Sequence, residues 1–188
     1  MSIDRTCAYC GAGHGRPRFA GAQLDYSVSH TRDHVVVGVV SEGLVGVDVD
    51  TVPRRDTVDR LATKALTPHE RGVWDRLPED QRPAAFVRLW TRKEAAVKLT
   101  GHGLAAALSA LDANGPELVV SGRLPASWPP HKVHLRDVRW RAGHVLALAS
   151  TSPVQHVIRL SPEDLLRSPD PGADVTRSSF GNSYPTGI

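Results

Sequence analysis

The 188-residue chain predicts an α+β protein. Two observations carry that reading. Strand-like runs lie between about residues 25 and 50 and return after Gly103, in "PELVVSG", "KVHLRDVRW" and "GHVLALAS". Between them lies a helical stretch with apolar residues at three- and four-residue spacing.

Residues 1–25 are Gly-rich, and "CGAGHGRPRFAG" reads as turns and loop, an exposed approach segment. "DYSVSH" and "HVVVGVV" follow as adjacent strands joined through Thr31, Arg32 and Asp33, and "GLVGVDVD" reads as a third strand of the same small sheet. Residues 57–66 form a short amphipathic helix with Val58, Leu61, Ala62 and Ala65 on one side. In "TPHE", Thr67 suits a helix cap, Pro68 the first helical position and Glu70 the reciprocal cap, for a helix to about Leu77. The strongest helix lies in "RPAAFVRLWTRKEAAVKLTG", with Pro83 near its start, Phe86, Leu89, Trp90, Ala96 and Val97 as buried stripe and Gly101 as terminator. The later strands extend a second sheet under this helix. From Ser152 onward, five prolines and scattered serines and acids predict an irregular tail with one short helix.

Composition narrows the function classes. A chain of this length holds one ordinary domain or two small packed subdomains. No run approaches the roughly 18 apolar residues of a membrane span, and the first thirty residues lack a signal-peptide core, which predicts a cytoplasmic protein without membrane association. Cys7 and Cys10 are too few for a disulfide framework. The formal charge is +3, and the segment from Thr151, with three arginines against four acids, leaves a body of +4. A mildly basic body favours a phosphate-bearing ligand or an acidic partner, and equally suits a solvated surface.

"GLVGVDVD" places two acids in an otherwise apolar strand. Strand alternation puts Leu44, Gly46, Asp48 and Asp50 on one face and Val45, Val47 and Val49 on the other. Two like charges that close need water, a basic side chain or a cation between them, and a hard divalent metal is one solution. A strand end running into solvent at Asp50 is another. In the long helix, Trp90, Glu94 and Lys98 fall in line at four-residue spacing, which alone describes an ordinary surface ion pair. The "TGHGL" that follows permits close backbone approach.

"GVDVD" followed by "FVRLWTRKEAAVKLTGHGL" resembles the paired signature of the 4'-phosphopantetheinyl transferase superfamily, G-[VI]-D-[VI]-[ED] then [FW]-x-x-[KR]-E-[AS]-x-x-K and a G-x-G-L segment. Upstream, "HGRP" and "YSVSH" are similar to its G-[KR]-P and [FY]-[NS]-[VIL]-S-H elements, in the expected order. The resemblance spans residues 7–148 and is nearest in form to the surfactin-synthetase-activating type.

The resemblance implies two pseudo-symmetric α/β subdomains: residues 1–45 as a partial first one, 46–150 as the second with the metal site and long helix, and 151–188 as tail. It implies transfer of the phosphopantetheine arm of coenzyme A to a serine of an apo acyl or peptidyl carrier protein, with Mg2+ on the pyrophosphate. Asp48, Asp50 and Glu94 match the metal positions, Glu94 and Lys98 the catalytic ones, and Arg16, Ser29, His30 and Lys98 those that hold coenzyme A. Three carboxylates with pyrophosphate oxygens and waters suit an octahedral magnesium ion. The expected form is a monomer.

Two departures are visible. Asp50 stands where the family usually carries Glu and reaches about one methylene less far, which favours ligation through water. Only fifteen residues precede Arg16, so the first subdomain is expected to be shortened and the chain, in the extreme, a non-catalytic remnant that still binds coenzyme A or a carrier. Separately, "CAYCGAGH" offers half a zinc knuckle in Cys7, Cys10 and His14, the basis of a rival reading as a nucleic-acid module. That rival lacks an aromatic platform or a dense Lys/Arg run, and no nucleic-acid partner is expected.

Overall fold

The protein is described by a computed structural model over residues 2–7, 11–13, 15–21, 23–52 and 54–166. Residues up to Val154 form one compact unit, and a second begins at Gln155.

The first unit opens with a two-residue ladder between β1 (Ile3–Asp4) and β2 (Arg18–Phe19), within the segment expected to be irregular. Next come β3 (Asp25–His30) and β4 (Val35–Val40), the expected antiparallel pair, closed by the Thr31 N–H donating to His34 O at 2.8 Å. β5 (Val45–Thr51) does not extend that pair as expected. It forms an antiparallel ladder with β9 (His144–Ser150), which pairs on its other side with β8 (His134–Val138).

The edge of β5 left by this pairing is served by side chains. Asp25 Oδ2, Ser27 Oγ and Ser29 Oγ accept from the amides of Val45, Val47 and Val49 at 2.7, 3.1 and 3.2 Å. These three acceptors alternate along β3 and so share one face, and each satisfies a buried donor that would otherwise be costly. Hairpin and sheet therefore join face to edge.

Three helices follow: α1 (Arg55–Ala65), α2 (Pro68–Trp74) and α3 (Arg82–Thr100). The capping box on α2 forms as expected, with Thr67 Oγ1 accepting from Glu70 N at 3.1 Å and Thr67 N donating to Glu70 Oε2 at 2.8 Å. The helix stops at Trp74 rather than near Leu77, because the amides of Arg76 and Leu77 turn back to Val73 O and Trp74 O in tighter bonds ahead of Pro78. α3 ends at Gly101, whose φ of +75° suits glycine.

α3 packs across β5 and β9. Phe86, Leu89, Ala96 and Val97 are buried as expected and Trp90 only partly, while Thr91, Arg92 and Lys93 are buried too because other elements cover the helix. Val58, Ala62, Trp74, Phe86, Leu99 and Ala147 contribute to the main core on this side of the sheet. On the other side Val45, Val47 and Leu148 pack with Val36 and Val40 of β4. β5 is thus covered on both faces.

Of "PELVVSG", only β7 (Val119–Val120) is strand, paired with β6 (Leu111–Asp112) in a separate ladder. In the second unit the expected short helix is α4 (Pro162–Leu166), preceded by a Ser161–Asp164 reciprocal cap. No helix among the described residues is long and apolar enough to cross a membrane.

Candidate active site

The site is built where α3 lies on β5. Gly46 makes the approach possible: a Cβ there would sit 1.9 Å from Ala95 O and 2.7 Å from Leu99 N. Alternation then turns Asp48 to the same face. On α3, Glu94 and Lys98 stand directly before the two contact residues, Ala95 and Leu99.

Asp48 is buried, with 7% of its surface exposed. Its Oδ1 accepts from Lys98 Nζ at 2.7 Å and from Ser29 Oγ at 2.8 Å, and Lys98 Nζ also donates to Ser29 Oγ at 2.8 Å. The three groups close a triangle drawn from β3, β5 and α3. Because Ser29 Oγ also accepts from Val49 N, its hydrogen-bonding capacity is filled inside the protein. The Lys98 side chain keeps 32% of its surface exposed, so the triangle is not sealed from solvent.

Two further carboxylates act on this locus. Burial pushes the Glu94 carboxyl above the ordinary range, the charge of Asp48 adds to that rise, Lys98 opposes it, and Asp50 adds to it again. Asp50 is raised as well: burial is the main cause, the hydrogen bond from Thr51 N and the Lys98 charge oppose it, and Asp48 reinforces it. Three acids therefore share one field with a single ammonium group. Their oxygens are the donor type a hard cation prefers, and the upward shifts of Glu94 and Asp50, due first to burial and then in part to the neighbouring Asp48 charge, mark a locus where a cation would be favoured.

The acids are coupled but not converged. Among the described residues no group of three His, Cys, Asp or Glu side chains stands ready to hold a metal ion. Lys98 takes the Asp48 oxygen on which a cation was expected. The donor chemistry fits a magnesium ion, although among the described residues the three acids are not gathered into one cluster ahead of the pyrophosphate oxygens and waters expected to complete the site.

Arg16 also departs from expectation. Its guanidinium does not face an open pocket: the side chain is 6% exposed and paired through both terminal nitrogens with Asp25. It also donates to Val45 O at 2.7 Å and to Lys98 O at 3.0 Å. His30 is exposed at the end of β3, on the face opposite Ser29, with Nδ1 3.3 Å from Thr31 O. Cys7 is buried, while Cys10 and His14 of the expected knuckle lie outside the described residues.

Sequence reasoning missed Asp25 and Ser27, and it read Glu70 only as a cap, without its buried partner Lys93. The first two carried a signal, since Asp25, Ser27 and Ser29 repeat at two-residue spacing in a strand and must face one way. Lys93 carried none. Its ammonium is fully buried, donating to Glu70 Oε2 and Ala65 O at 2.5 Å and to Leu108 O at 3.0 Å. Burial holds its pKa below the ordinary lysine range, against the opposing hydrogen bond and charge of Glu70.

Comparison with known proteins bears on this geometry. A sequence model described as the 4'-phosphopantetheinyl transferase superfamily matches residues 44–149, which contain β5, α3 and β9. The chain is 39% identical over 88 residues to 4'-phosphopantetheinyl transferase AcpT of Salmonella typhimurium, covering 46% of each chain. It is 32% identical over 88 residues to 4'-phosphopantetheinyl transferase HetI of a Nostoc species, covering 47% of this chain and 37% of that one. It is 27% identical over 159 residues to 4'-phosphopantetheinyl transferase psf-1 of Bacillus pumilus, covering 82% and 66%. Against AcpT the match spans about half of the relative's length. A crystal structure of Thermotoga maritima holo-acyl-carrier-protein synthase is similar with a TM-score of 0.41 and 22% identity, over 56% of this chain and 61% of that one.

Proposed function

The chain belongs to the 4'-phosphopantetheinyl transferase superfamily, and from that premise we propose that it moves the phosphopantetheine arm of coenzyme A onto a serine of an apo acyl or peptidyl carrier protein. The observation that carries the reading is the Asp48–Lys98–Ser29 triangle with Glu94 and Asp50 in its field. In the transfer, the carrier serine oxygen forms a bond to the phosphorus bearing pantetheine. The bond from that phosphorus to the bridging oxygen breaks, and adenosine 3',5'-bisphosphate leaves. The serine proton goes to Glu94, directly or through water, since a carboxylate with raised pKa is the better acceptor. Lys98, whose side chain is partly exposed, neutralises charge on the transferring phosphate. A bound Mg2+, held by Asp48, Glu94 and, through water, Asp50, would neutralise the pyrophosphate.

A second reading, a binding remnant without catalysis, draws on the unconverged acids. One assay separates the two: the chain is incubated with apo carrier protein, coenzyme A and Mg2+, and the carrier is weighed by mass spectrometry. A phosphopantetheine mass gain on the serine supports transfer. Folded protein that binds coenzyme A and produces no gain supports the remnant.

A further inference from the structure

We infer that Arg16 and Asp25 form an internal clamp that sets Lys98 against Asp48, so that Arg16 is a positioning residue and not a ligand of the phosphates. The functional half of this inference rests on the role proposed above for Lys98; the clamp itself does not.

A guanidinium has five N–H donors in a fixed plane. Here Nη1 donates to Asp25 Oδ1 at 2.7 Å, Nη2 pairs with Asp25 Oδ2 and donates to Val45 O at 2.7 Å, and Nε donates to Lys98 O at 3.0 Å. Only 6% of the Arg16 side chain and 11% of Asp25 is exposed, which leaves no free edge to chelate an anion. Asp25 Oδ2 in turn accepts from Val45 N at 2.7 Å. The pair therefore satisfies both backbone groups of Val45 and a carbonyl in the last turn of α3, where helical carbonyls lack partners of their own and a cation is favoured.

The stem of Arg16 packs on the helix end as well. A Cβ on Gly101 would lie 3.3 Å from Arg16 Cβ, so the terminating glycine also makes room for the clamp. Asp25 and Ser29 lie on one face of β3, and Val45 precedes Asp48 by three residues on β5. The clamp thus pins the backbone of Lys98 to the two strands that present the partners of its ammonium group. With that end fixed, the side chain spans to Asp48 and Ser29 at 2.7 and 2.8 Å.

The test uses Arg16→Lys and the shape-conserving Asp25→Asn. Three quantities are measured on each: amide hydrogen exchange across residues 99–101, coenzyme A affinity by calorimetry, and the transfer rate at saturating coenzyme A. The clamp predicts that last-turn exchange accelerates by about tenfold in both variants. It also predicts a kcat lower by about tenfold in both, with the Kd for coenzyme A within about twofold of the parent. A rise of about tenfold in that Kd for Arg16→Lys, with Asp25→Asn unchanged, would show Arg16 on the ligand and overturn the inference. Unchanged exchange in both folded variants would overturn it too. If the parent chain itself transfers nothing, the proposed function fails, and the exchange measurement alone decides the clamp.

Discussion

Gly46 and Ala95 touch backbone to backbone: the Cβ that any other residue would carry at position 46 falls 1.9 Å from the Ala95 carbonyl oxygen. That contact sets the height of α3 above β5, and with it the reach of Glu94 and Lys98 to Asp48. Gly46→Ala must push the helix outward, since backbone cannot swing aside as a flexible side chain can. We expect a loss of at least about 2 kcal/mol in urea unfolding, in the range of overpacked cores. Transfer should fall further than stability accounts for. A variant with parental unfolding midpoint and rate would refute the height argument.

Asp48→Ala and Glu94→Ala are each expected to lower transfer by at least about a hundredfold, the scale of losing one major transition-state contact. Circular dichroism should show both folded. Near-normal turnover in either would remove it from the catalytic set. Glu94→Gln separates charge from shape: it should be as inactive, yet the metal-free protein should be more stable than the parent by about 1 kcal/mol, because one of three mutually repelling acids is gone. A Glu94→Gln protein that melts below the parent would contradict the assignment of Glu94 to that cluster.

Asp137 links acid stability to α3. Burial tends to raise its carboxyl, but hydrogen bonds and charge from Arg92 and Arg88 outweigh this and hold it below the ordinary range. A depressed folded pKa contributes stability that is present above the unfolded value, about 3.9, and is lost as pH falls through the folded one. Asp137→Asn should therefore lower the urea midpoint at neutral pH, and the gap from the parent should close as the pH is taken below about 4. A gap that stays constant to pH 3 would mean the charge does not contribute.

The fully buried Lys93–Glu70 pair predicts a sharp asymmetry. Lys93→Met strands the Glu70 carboxylate in the core and should cost about 3–5 kcal/mol. Glu70→Gln should cost less, because its amide oxygen can still accept from Thr67 N or from Ala113 N, which bond different oxygens of the carboxylate, and Lys93, whose pKa burial already lowers, can shed its proton. Equal losses in chemical denaturation would argue that the pair is not the source of the penalty.

Much of this was legible in local pattern. The cap at Thr67, the terminator at Gly101 and the strand alternation that puts Asp48 and Asp50 on the face of Gly46 each depend on residues within one or two turns of each other. The four-residue spacing of Glu94 and Lys98 belongs with them. Those features hold in the fold because backbone geometry alone enforces them.

What local pattern could not supply was the set of long-range partners. Nothing in "GLVGVDVD" says that β9, from a hundred residues further along, will be its ladder partner, or that hydroxyls of β3 will serve its other edge. The acids were readable as acids, but which cation meets Asp48 depended on where α3 was packed, and there it is Lys98. The resemblance matches Arg16 to a position that holds coenzyme A, and only the fold places Asp25, Val45 and the end of α3 around it. Periodicity settles which way a side chain points from its own element; only the packing of elements decides what charge or hydrogen bond it finds there, because those energies depend on distances the linear order does not contain.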